Sequence, residues 1–186
     1  MDLKKYKKDI EFIDSVIDYI KNKIAIDETR IYSSGMSNGG YMSYHLACNL
    51  DNTFAAVVSV TGSMTNDTFD NCAPSHPTAA MQIHGVQDLT VPYLGSGWSK
   101  SIDDVMDYWV SYNSCNTEPE RVIKYSNQTD LINFDTYGSC INNVNVKLIL
   151  HSGMGHNWPF IQNYNIDASQ EVWDFVSKYD INGLRN

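Results

Sequence analysis

The sequence lacks a long apolar run and has few basic residues, and both absences exclude classes of protein. No apolar segment approaches the roughly 20 residues that span a bilayer, and the N-terminus lacks the continuous apolar segment of a secretory signal peptide. Lysine and arginine number 13 against 22 aspartates and glutamates, which gives a net charge of −9 at pH 7. Such a charge repels polyanions at long range. We therefore expect neither a membrane nor nucleic acid as a partner.

Cysteine is also scarce in the 186 residues, which contain only Cys48, Cys72, Cys115 and Cys140. Their spacing is not that of a zinc site and the histidines do not cluster with them, so we expect no metal. Nothing in the sequence implies an organic cofactor. Four cysteines allow three complete pairings, and the near-equal separations suggest local loops at 48–72 and 115–140. Four free buried thiols are the alternative.

A chain of this length is expected to form one domain over residues 1–186. Apolar residues from Leu3 to Ile24 recur at steps of three and four, which predicts a helix over about residues 3–23. Such a stripe also fits a coiled coil. Because Val16 widens the stripe and a strand-like segment follows directly, we favour a helix packed on a sheet.

Strands and helices alternate along the rest of the chain. We predict strands at residues 30–34, 54–60, 78–84 and 144–150, and helices at 41–50, 102–110 and 168–179. This order predicts an α/β fold with a mostly parallel sheet and helices on both faces. Residues 121–125 and 131–137 indicate a β-hairpin, which we interpret as an insertion at about residues 115–141.

A short β-branched and aromatic run at residues 31–34 breaks into Gly35-x-Ser37-x-Gly39. This pattern predicts a nucleophile elbow, a sharp strand-to-helix turn that lifts a serine hydroxyl out of the sheet. The two glycines would let the strand and helix backbones approach without Cβ clashes. The pentapeptide alone is weakly specific, but the strand before it and the helical spacing after it strengthen the prediction. Ser37 is therefore the candidate nucleophile.

A nucleophilic serine needs an imidazole to take its proton and a carboxylate to orient that imidazole. Asp88 follows the predicted strand ending at His84, and His156 follows the one ending at Leu150. Both would lie on loops at the carboxyl ends of parallel strands. The chain order Ser, Asp, His is the one expected of an α/β-hydrolase. The candidate catalytic residues are therefore Ser37, Asp88 and His156.

Other carboxylates and histidines compete for these roles. Asp67 or Asp70, after the preceding strand, could supply the acid instead of Asp88. A predicted helix start contains three further carboxylates, which we expect to cap the helix or to be solvated: Asp103, Asp104 and Asp107. The other histidines are expected to be packed near the site (His84 and His151), structural (His45) or exposed (His76).

Three motifs carry a resemblance to a known family. They are Gly-Met-Ser-Asn-Gly-Gly at 35–40, His-Gly-x-x-Asp-x-x-Val-Pro-Tyr at 84–93 and Gly-x-Gly-His-x-Trp-Pro at 153–159. From about residue 10 to the C-terminus, the chain resembles the polyhydroxybutyrate depolymerase and feruloyl or acetylxylan esterase family of α/β-hydrolases.

The resemblance implies a serine carboxylesterase with Ser37, Asp88 and His156 as its triad. It also favours the disulfide pairings Cys48–Cys72 and Cys115–Cys140 and a secreted or periplasmic location. The resemblance has one departure, because about the first four strands and a helix of the family pattern have no counterpart in this sequence.

This departure has a physical consequence for the sheet. The nucleophile strand, normally central, would become an edge with unpaired N–H and C=O groups. A second copy of the chain could cover that edge in a homodimer, or the opening helix could fold across it. We expect a homodimer or a minimal, truncated α/β-hydrolase.

Negative charge that develops on a substrate oxygen needs two aimed donors. One is expected to be the backbone N–H of Asn38, directly after the nucleophile. The other normally comes from the absent part of the pattern, and Tyr41, Thr61 or a partner chain could supply it. Aromatic residues that could form substrate-binding walls, or belong to the core, are Tyr41, Tyr93, Trp98 and Trp158.

We hypothesise that the chain hydrolyses small or phenolic carboxylic esters, on a small molecule or a polymer, through an acyl-enzyme intermediate. One alternative is a non-catalytic hydrolase remnant or interaction module without a complete oxyanion hole. Another is a peptidase of the prolyl oligopeptidase kind, which shares a similar elbow and acid loop.

Overall fold

The chain forms a six-stranded sheet with helices packed on both faces. The computed structural model describes residues 3–185, with side chains from residue 8 onward. The helices are α1 (Leu3–Lys21), α2 (Asn38–Asn49), α3 (Asn66–Asp70), α4 (Ile102–Tyr112), α5 (Ile161–Tyr164) and α6 (Ala168–Val176). The strands are β1 (Tyr32–Met36), β2 (Ala56–Val60), β3 (Ala79–Gly85), β4 (Glu120–Tyr125), β5 (Leu131–Tyr137), β6 (Val146–His151), β7 (Tyr179–Asp180) and β8 (Gly183–Leu184). The predicted α/β class is confirmed.

The order of strands across the sheet is β1-β2-β3-β6-β5-β4. Strands β1, β2, β3 and β6 run parallel, so their carboxyl ends lie at the same end of the sheet. The hairpin of β4 and β5 pairs antiparallel to β6 and extends the central sheet, rather than standing apart from it. Helices α3 and α5 and the small hairpin of β7 and β8 have no counterpart in the sequence prediction.

Strands β2 and β3 are completely buried, and their side chains alternate between two apolar clusters. Val58 and Met81 face the cluster that contains α6, whereas Val57 and Ala80 face the one that contains α2 and α4. The apolar stripe of α1 packs on this second cluster, as predicted for a helix on a sheet. In contrast, Phe12 and Tyr19 of α1 are each 64% exposed.

Strand β1 lies at the edge of the sheet, as expected from the sequence, and among the described strands it pairs with β2 alone. Its five residues are half-buried or exposed, although those of β2 and β3 are all buried. The start of β1 is tied to the C-terminal segment, because the Tyr32 hydroxyl donates to the Tyr179 carbonyl at 2.8 Å. Among the described residues, no strand pairs with the side of β1 opposite β2, which is its open side.

Two disulfides join Cys48 to Cys72 and Cys115 to Cys140, which confirms the pairing that the resemblance favoured. The first ties the last turn of α2 to the segment after α3. The second ties the end of α4 to the loop after β5. Among the described residues, none of the helices combines the length and apolar character needed to cross a membrane.

Candidate active site

Ser37 lies on a strained turn between β1 and α2. Its φ of 55° and ψ of −118° are unusual for a residue with a side chain. The Ser37 N–H donates to the Val60 carbonyl at 2.8 Å, and the Ser37 carbonyl accepts from the Tyr41 N–H at 3.1 Å. The turn is thus held at both ends and directs the candidate nucleophile away from the strand path, as the predicted elbow requires.

Two glycines beside Ser37 permit close backbone contact. A Cβ on Gly35 would lie 2.6 Å from the Gly39 carbonyl carbon, and one on Gly40 would lie 2.4 Å from the Ser59 Oγ. The expectation for Gly35 is therefore confirmed, but a Cβ on Gly39 would meet nothing within 4 Å. The second position where a side chain does not fit is therefore Gly40 in α2, rather than Gly39.

Asp88 lies in the tight loop after β3, and it is 2% exposed. Its Oδ1 accepts from the Thr90 N–H at 2.9 Å and from the Val91 N–H at 2.8 Å. Its Oδ2 lies 2.8 Å from Nδ1 of His156. The backbone thus fixes one carboxylate oxygen and leaves the other to the imidazole.

The loop that carries His156 is bonded directly to the loop that carries Asp88. The Val86 N–H donates to the His151 carbonyl and the Gln87 N–H to the Met154 carbonyl, both at 3.0 Å. A Cβ on Gly85 would lie 1.9 Å from the Met154 carbonyl oxygen, so the two loops approach only because residue 85 has no side chain. With Nδ1 donating to Asp88, Nε2 of His156 is free to accept a proton.

Ser37 is at the same end of the sheet as Asp88 and His156, because β1, β3 and β6 are parallel. Gly62, after β2, packs against the Ser37 turn, since a Cβ there would lie 2.7 Å from the Ser37 carbonyl oxygen. Tyr41, four residues after Ser37 on α2, is near enough to Asp88 to be affected by its charge. Burial raises the pKa of Tyr41, and the negative charge of Asp88 raises it further. The three predicted residues are therefore at the same end of the sheet. Asp88 and His156 are joined by a hydrogen bond, whereas among the described residues none joins Ser37 to His156.

The competing carboxylates have other partners. Asp70 pairs with Lys100 at 3.3 Å, and the Asp67 carboxylate accepts from Asn71. Asp103 accepts from the Tyr93 hydroxyl, and Asp104 accepts from Ser101 at 2.6 Å. In contrast, the Asp88 carboxylate faces the ring of His156, the histidine in the predicted loop.

The aromatic residues expected to form walls fall into two groups. Tyr41 and Trp98 pack together with ring centroids 5.4 Å apart, and the Tyr41 hydroxyl bonds to Ser99 at 2.6 Å. Trp98 is 49% exposed, so this pair presents aromatic surface to solvent near the Ser37 turn. Tyr93 and Trp158 instead pack against the two apolar clusters.

Among the described residues, one donor for a substrate oxygen is evident. Asn38 begins α2, where backbone N–H groups have no partner within the helix, and it is exposed. The Thr61 hydroxyl, one of the candidates for the second donor, is buried without a hydrogen-bond partner. The Tyr41 hydroxyl, the other side-chain candidate, is already bound to Ser99. Within residues 3–185, no three His, Cys, Asp or Glu side chains converge as metal ligands would.

Sequence reasoning missed a buried polar chain behind the site, which contains Tyr44, Gln82 and His84. All three side chains are 0% exposed. A glutamine inside the apolar run of β3 was the available signal, since an amide is buried only where it has partners.

Comparison with known proteins agrees with this geometry. A model of the prolyl oligopeptidase family matches residues 2–76, a segment that includes Ser37 but ends before Asp88 and His156. The chain is 25% identical over 177 residues to a bifunctional acetylxylan esterase/xylanase of Neocallimastix patriciarum, covering 95% of this chain and 24% of that protein. It is 27% identical over 177 residues to feruloyl esterase B of Piromyces equi, covering 85% of this chain and 32% of that protein.

The chain thus spans a third or less of the length of these two relatives. Among solved structures, an acetyl xylan esterase from Aspergillus awamori superposes with a TM-score of 0.60 at 15% identity, covering 90% of this chain and 66% of that one. The chain therefore has an α/β-hydrolase fold, and its resemblance to the feruloyl and acetylxylan esterases is confirmed.

Proposed function

We propose that the protein is a serine carboxylesterase that acts on small or phenolic carboxylic esters. Ser37 is the nucleophile, His156 the general base, and Asp88 the carboxylate that orients His156. The contact that carries the proposal is the 2.8 Å hydrogen bond between His156 Nδ1 and the buried Asp88 Oδ2. It lies at the end of the sheet where the Ser37 turn is also found.

In the first half-reaction, the Ser37 Oγ attacks the ester carbonyl carbon while Nε2 of His156 takes the hydroxyl proton. The Asn38 N–H stabilises the oxyanion of the tetrahedral intermediate. Collapse breaks the ester bond, and His156 returns the proton to the leaving alcohol. Water then attacks the acyl-enzyme by the same steps and releases the acid.

The substrate class is supported by the relatives and by one surface. Proteins named feruloyl esterase and acetylxylan esterase align over most of this chain. The exposed ring of Trp98 beside Tyr41 offers a flat aromatic face on which a phenolic group could stack. Such stacking suits a phenolic acid ester, free or attached to a polymer.

Hydrolysis of a p-nitrophenyl ester tests the proposal, together with labelling by a fluorophosphonate. We expect turnover and labelling in the wild-type protein, and neither in a Ser37→Ala variant. Wild-type protein that is folded yet gives neither signal would favour the alternative of a non-catalytic remnant, which the single evident oxyanion donor also allows. Loss of one such donor typically lowers kcat by about 10²–10³, so slow turnover is expected.

A peptidase is the second candidate, because the prolyl oligopeptidase family model matches the segment around Ser37. Parallel assays on an ester and on the amide of the same acid distinguish the two activities. Preference for the ester supports our proposal, and comparable turnover of the amide supports the peptidase.

We further propose that a second copy of the chain covers the open side of β1. Strand β1 contains no charged residue, whereas β4 at the opposite edge contains Glu120, Arg121 and Lys124. Charges at an edge oppose pairing with another strand, so β4 is protected and β1 is not. Two β1 strands can pair antiparallel about a two-fold axis. Light scattering over a range of concentrations should show a dimer, and a constant monomer mass would exclude it.

Export from the cytoplasm is also proposed, on the basis of the two disulfides. Such bonds persist in oxidising compartments and are rare in the cytosol. Detection of the native protein in the extracellular or periplasmic fraction, with both disulfides oxidised, would test this location.

A further inference from the structure

A second histidine, His84, lies directly behind the Asp88–His156 pair without contacting the substrate side. It is the sixth residue of β3, and it is 0% exposed. Its Nε2 lies 2.9 Å from the Val91 carbonyl oxygen, and its Nδ1 lies 2.9 Å from Nε2 of Gln82. The proposed mechanism leaves this buried, titratable group without a role.

The surrounding bonds fix which nitrogen of His84 carries the proton. Gln82 Nε2 also donates to the Gly62 carbonyl at 3.0 Å, and Gln82 Oε1 accepts from the Tyr44 hydroxyl at 3.0 Å, which sets the orientation of the amide. Gln82 therefore donates to His84 Nδ1, and His84 Nε2–H donates to Val91. A ring whose Nδ1 accepts and whose Nε2 donates is neutral, and burial also lowers the pKa of His84. The 3.8 Å separation of its Nε2 from Asp88 Oδ2 is consequently not an ion pair.

These bonds connect both sides of the candidate site. Gly62 packs against the Ser37 carbonyl, and Gln82 holds the Gly62 carbonyl. At the other end, the Val91 N–H donates to Asp88 Oδ1, and the Val91 carbonyl accepts from His84. A continuous path of hydrogen bonds and close contacts thus runs from the nucleophile turn to the acid.

We propose that His84 is a positioning residue: in its neutral Nε2–H form it holds the Val91 carbonyl and thereby fixes the loop that aims Asp88 at His156. This inference rests on the proposed esterase function. It assigns His84 no contact with substrate and no proton transfer. Its predicted contribution is to kcat, through the alignment of Asp88 and His156, with little effect on substrate affinity.

Two conservative variants separate this role from simple packing. In His84→Gln, the side-chain amide nitrogen can reach the position of Nε2 and keep the bond to Val91, but the bond from Gln82 is lost. In His84→Asn, the shorter side chain can accept from Gln82 but cannot reach Val91. Each variant leaves buried polar groups unpaired, including the Gln82 amide in the first and the Val91 carbonyl in the second, so we expect similar losses in melting temperature.

With a p-nitrophenyl ester as substrate, we expect kcat of His84→Gln to stay within about threefold of wild type and that of His84→Asn to fall by about 30-fold, both with nearly unchanged KM. Equal kcat losses in the two variants, or losses that follow the melting temperature, would overturn the inference. Absence of Ser37-dependent turnover in the wild-type protein would remove the esterase function and this inference with it.

A measurement on the wild-type protein keeps the inference testable if a variant does not fold. Nitrogen-15 spectroscopy of the histidine rings should show His84 as a neutral ring protonated at Nε2 at neutral pH. A ring protonated at Nδ1, or a charged ring, could not donate to Val91 while accepting from Gln82. Either observation would contradict the assignment.

Discussion

The two halves of the candidate site lie in different surroundings. The acid–base half, which comprises Asp88 and His156 on the loops after β3 and β6, is next to the centre of the sheet and is held by backbone bonds between the loops. The nucleophile half, the Ser37 turn between β1 and α2, is at an open edge with one evident oxyanion donor. The acid–base geometry is therefore determined by contacts within this chain. A second copy that covers β1 would instead change the surroundings of Ser37.

The largest expected effect comes from separating the two loops of the acid–base half. In Gly85→Ala, the new Cβ would need to occupy space 1.9 Å from the Met154 carbonyl oxygen, so the His156 loop must move away from Asp88. We expect kcat to fall by about a thousandfold. This loss lies between the one typical of a roughly 1 Å misplacement of reacting groups and the one typical of removing the triad carboxylate. Ester hydrolysis and a thermal melt measure the result.

The matched variant in the nucleophile half is Gly39→Ala, where a Cβ meets nothing within 4 Å. It should retain kcat within about threefold of wild type, because alanine is also favourable in a helix. Near-normal activity of Gly85→Ala, or an equally severe loss in Gly39→Ala, would contradict the role of the Gly85–Met154 contact in aligning Asp88 and His156.

Removing either disulfide should cost stability, but only one removal should affect activity. The paired residues are 24 and 25 positions apart, for which loop entropy predicts about 3–4 kcal/mol each. The Cys48–Cys72 bond anchors α2, whose first residue is Asn38, so its double serine variant should also lower kcat. The Cys115–Cys140 variant should not. Urea unfolding and ester hydrolysis on both variants test this, and equal loss of kcat would contradict it.

Mild acid should weaken folding through the buried histidines near the acid–base half. Burial lowers the pKa of His84 and of His151 from the ordinary value of 6.5. Below pH 6.5 the unfolded chain thus binds more protons than the folded one, and the free energy of unfolding falls as the pH falls toward the folded-state pKa. Above that range both states are neutral and no change arises.

Each histidine contributes at most about 1.4 kcal/mol per pH unit to this slope. Urea unfolding at pH values on both sides of 6.5 measures it, with His84→Gln as the control, since that variant should show a shallower dependence. An unchanged slope in the variant would mean that His84 does not stay neutral in the folded state.

The smallest expected effect is on self-association at the two edges. Ser34 is exposed at the middle of β1, and Ser34→Lys would bring two like charges together across a two-fold axis. We expect the dimer dissociation constant to rise by about tenfold. Ile123→Lys on the other edge, where the side chain is 53% exposed, adds the same charge and should leave association unchanged. Sedimentation equilibrium measures both.

Local patterns in the sequence predicted much of this architecture. The spacing around Ser37, Asp88 and His156 gave the triad candidates, because each follows a strand whose apolar run is visible, and the edge position of β1 was expected from the resemblance. The pairing of the β4–β5 hairpin with β6 was not visible, since register between distant strands leaves no local signal. The same holds for the contact of Gly85 with Met154 and for the Gln82–His84 chain, whose partners are far apart in sequence.

The backbone bonds from Val86 to His151 and from Gln87 to Met154 have a consequence for how the protein loses activity. Loops tied in this way open as one cooperative unit, so a thermal fluctuation that frees the carboxylate also frees the imidazole. Partly active species with only one of the two displaced should be rare. Heat inactivation is then expected to follow a single exponential, and amide exchange at Val86 and Gln87 should report the same opening event.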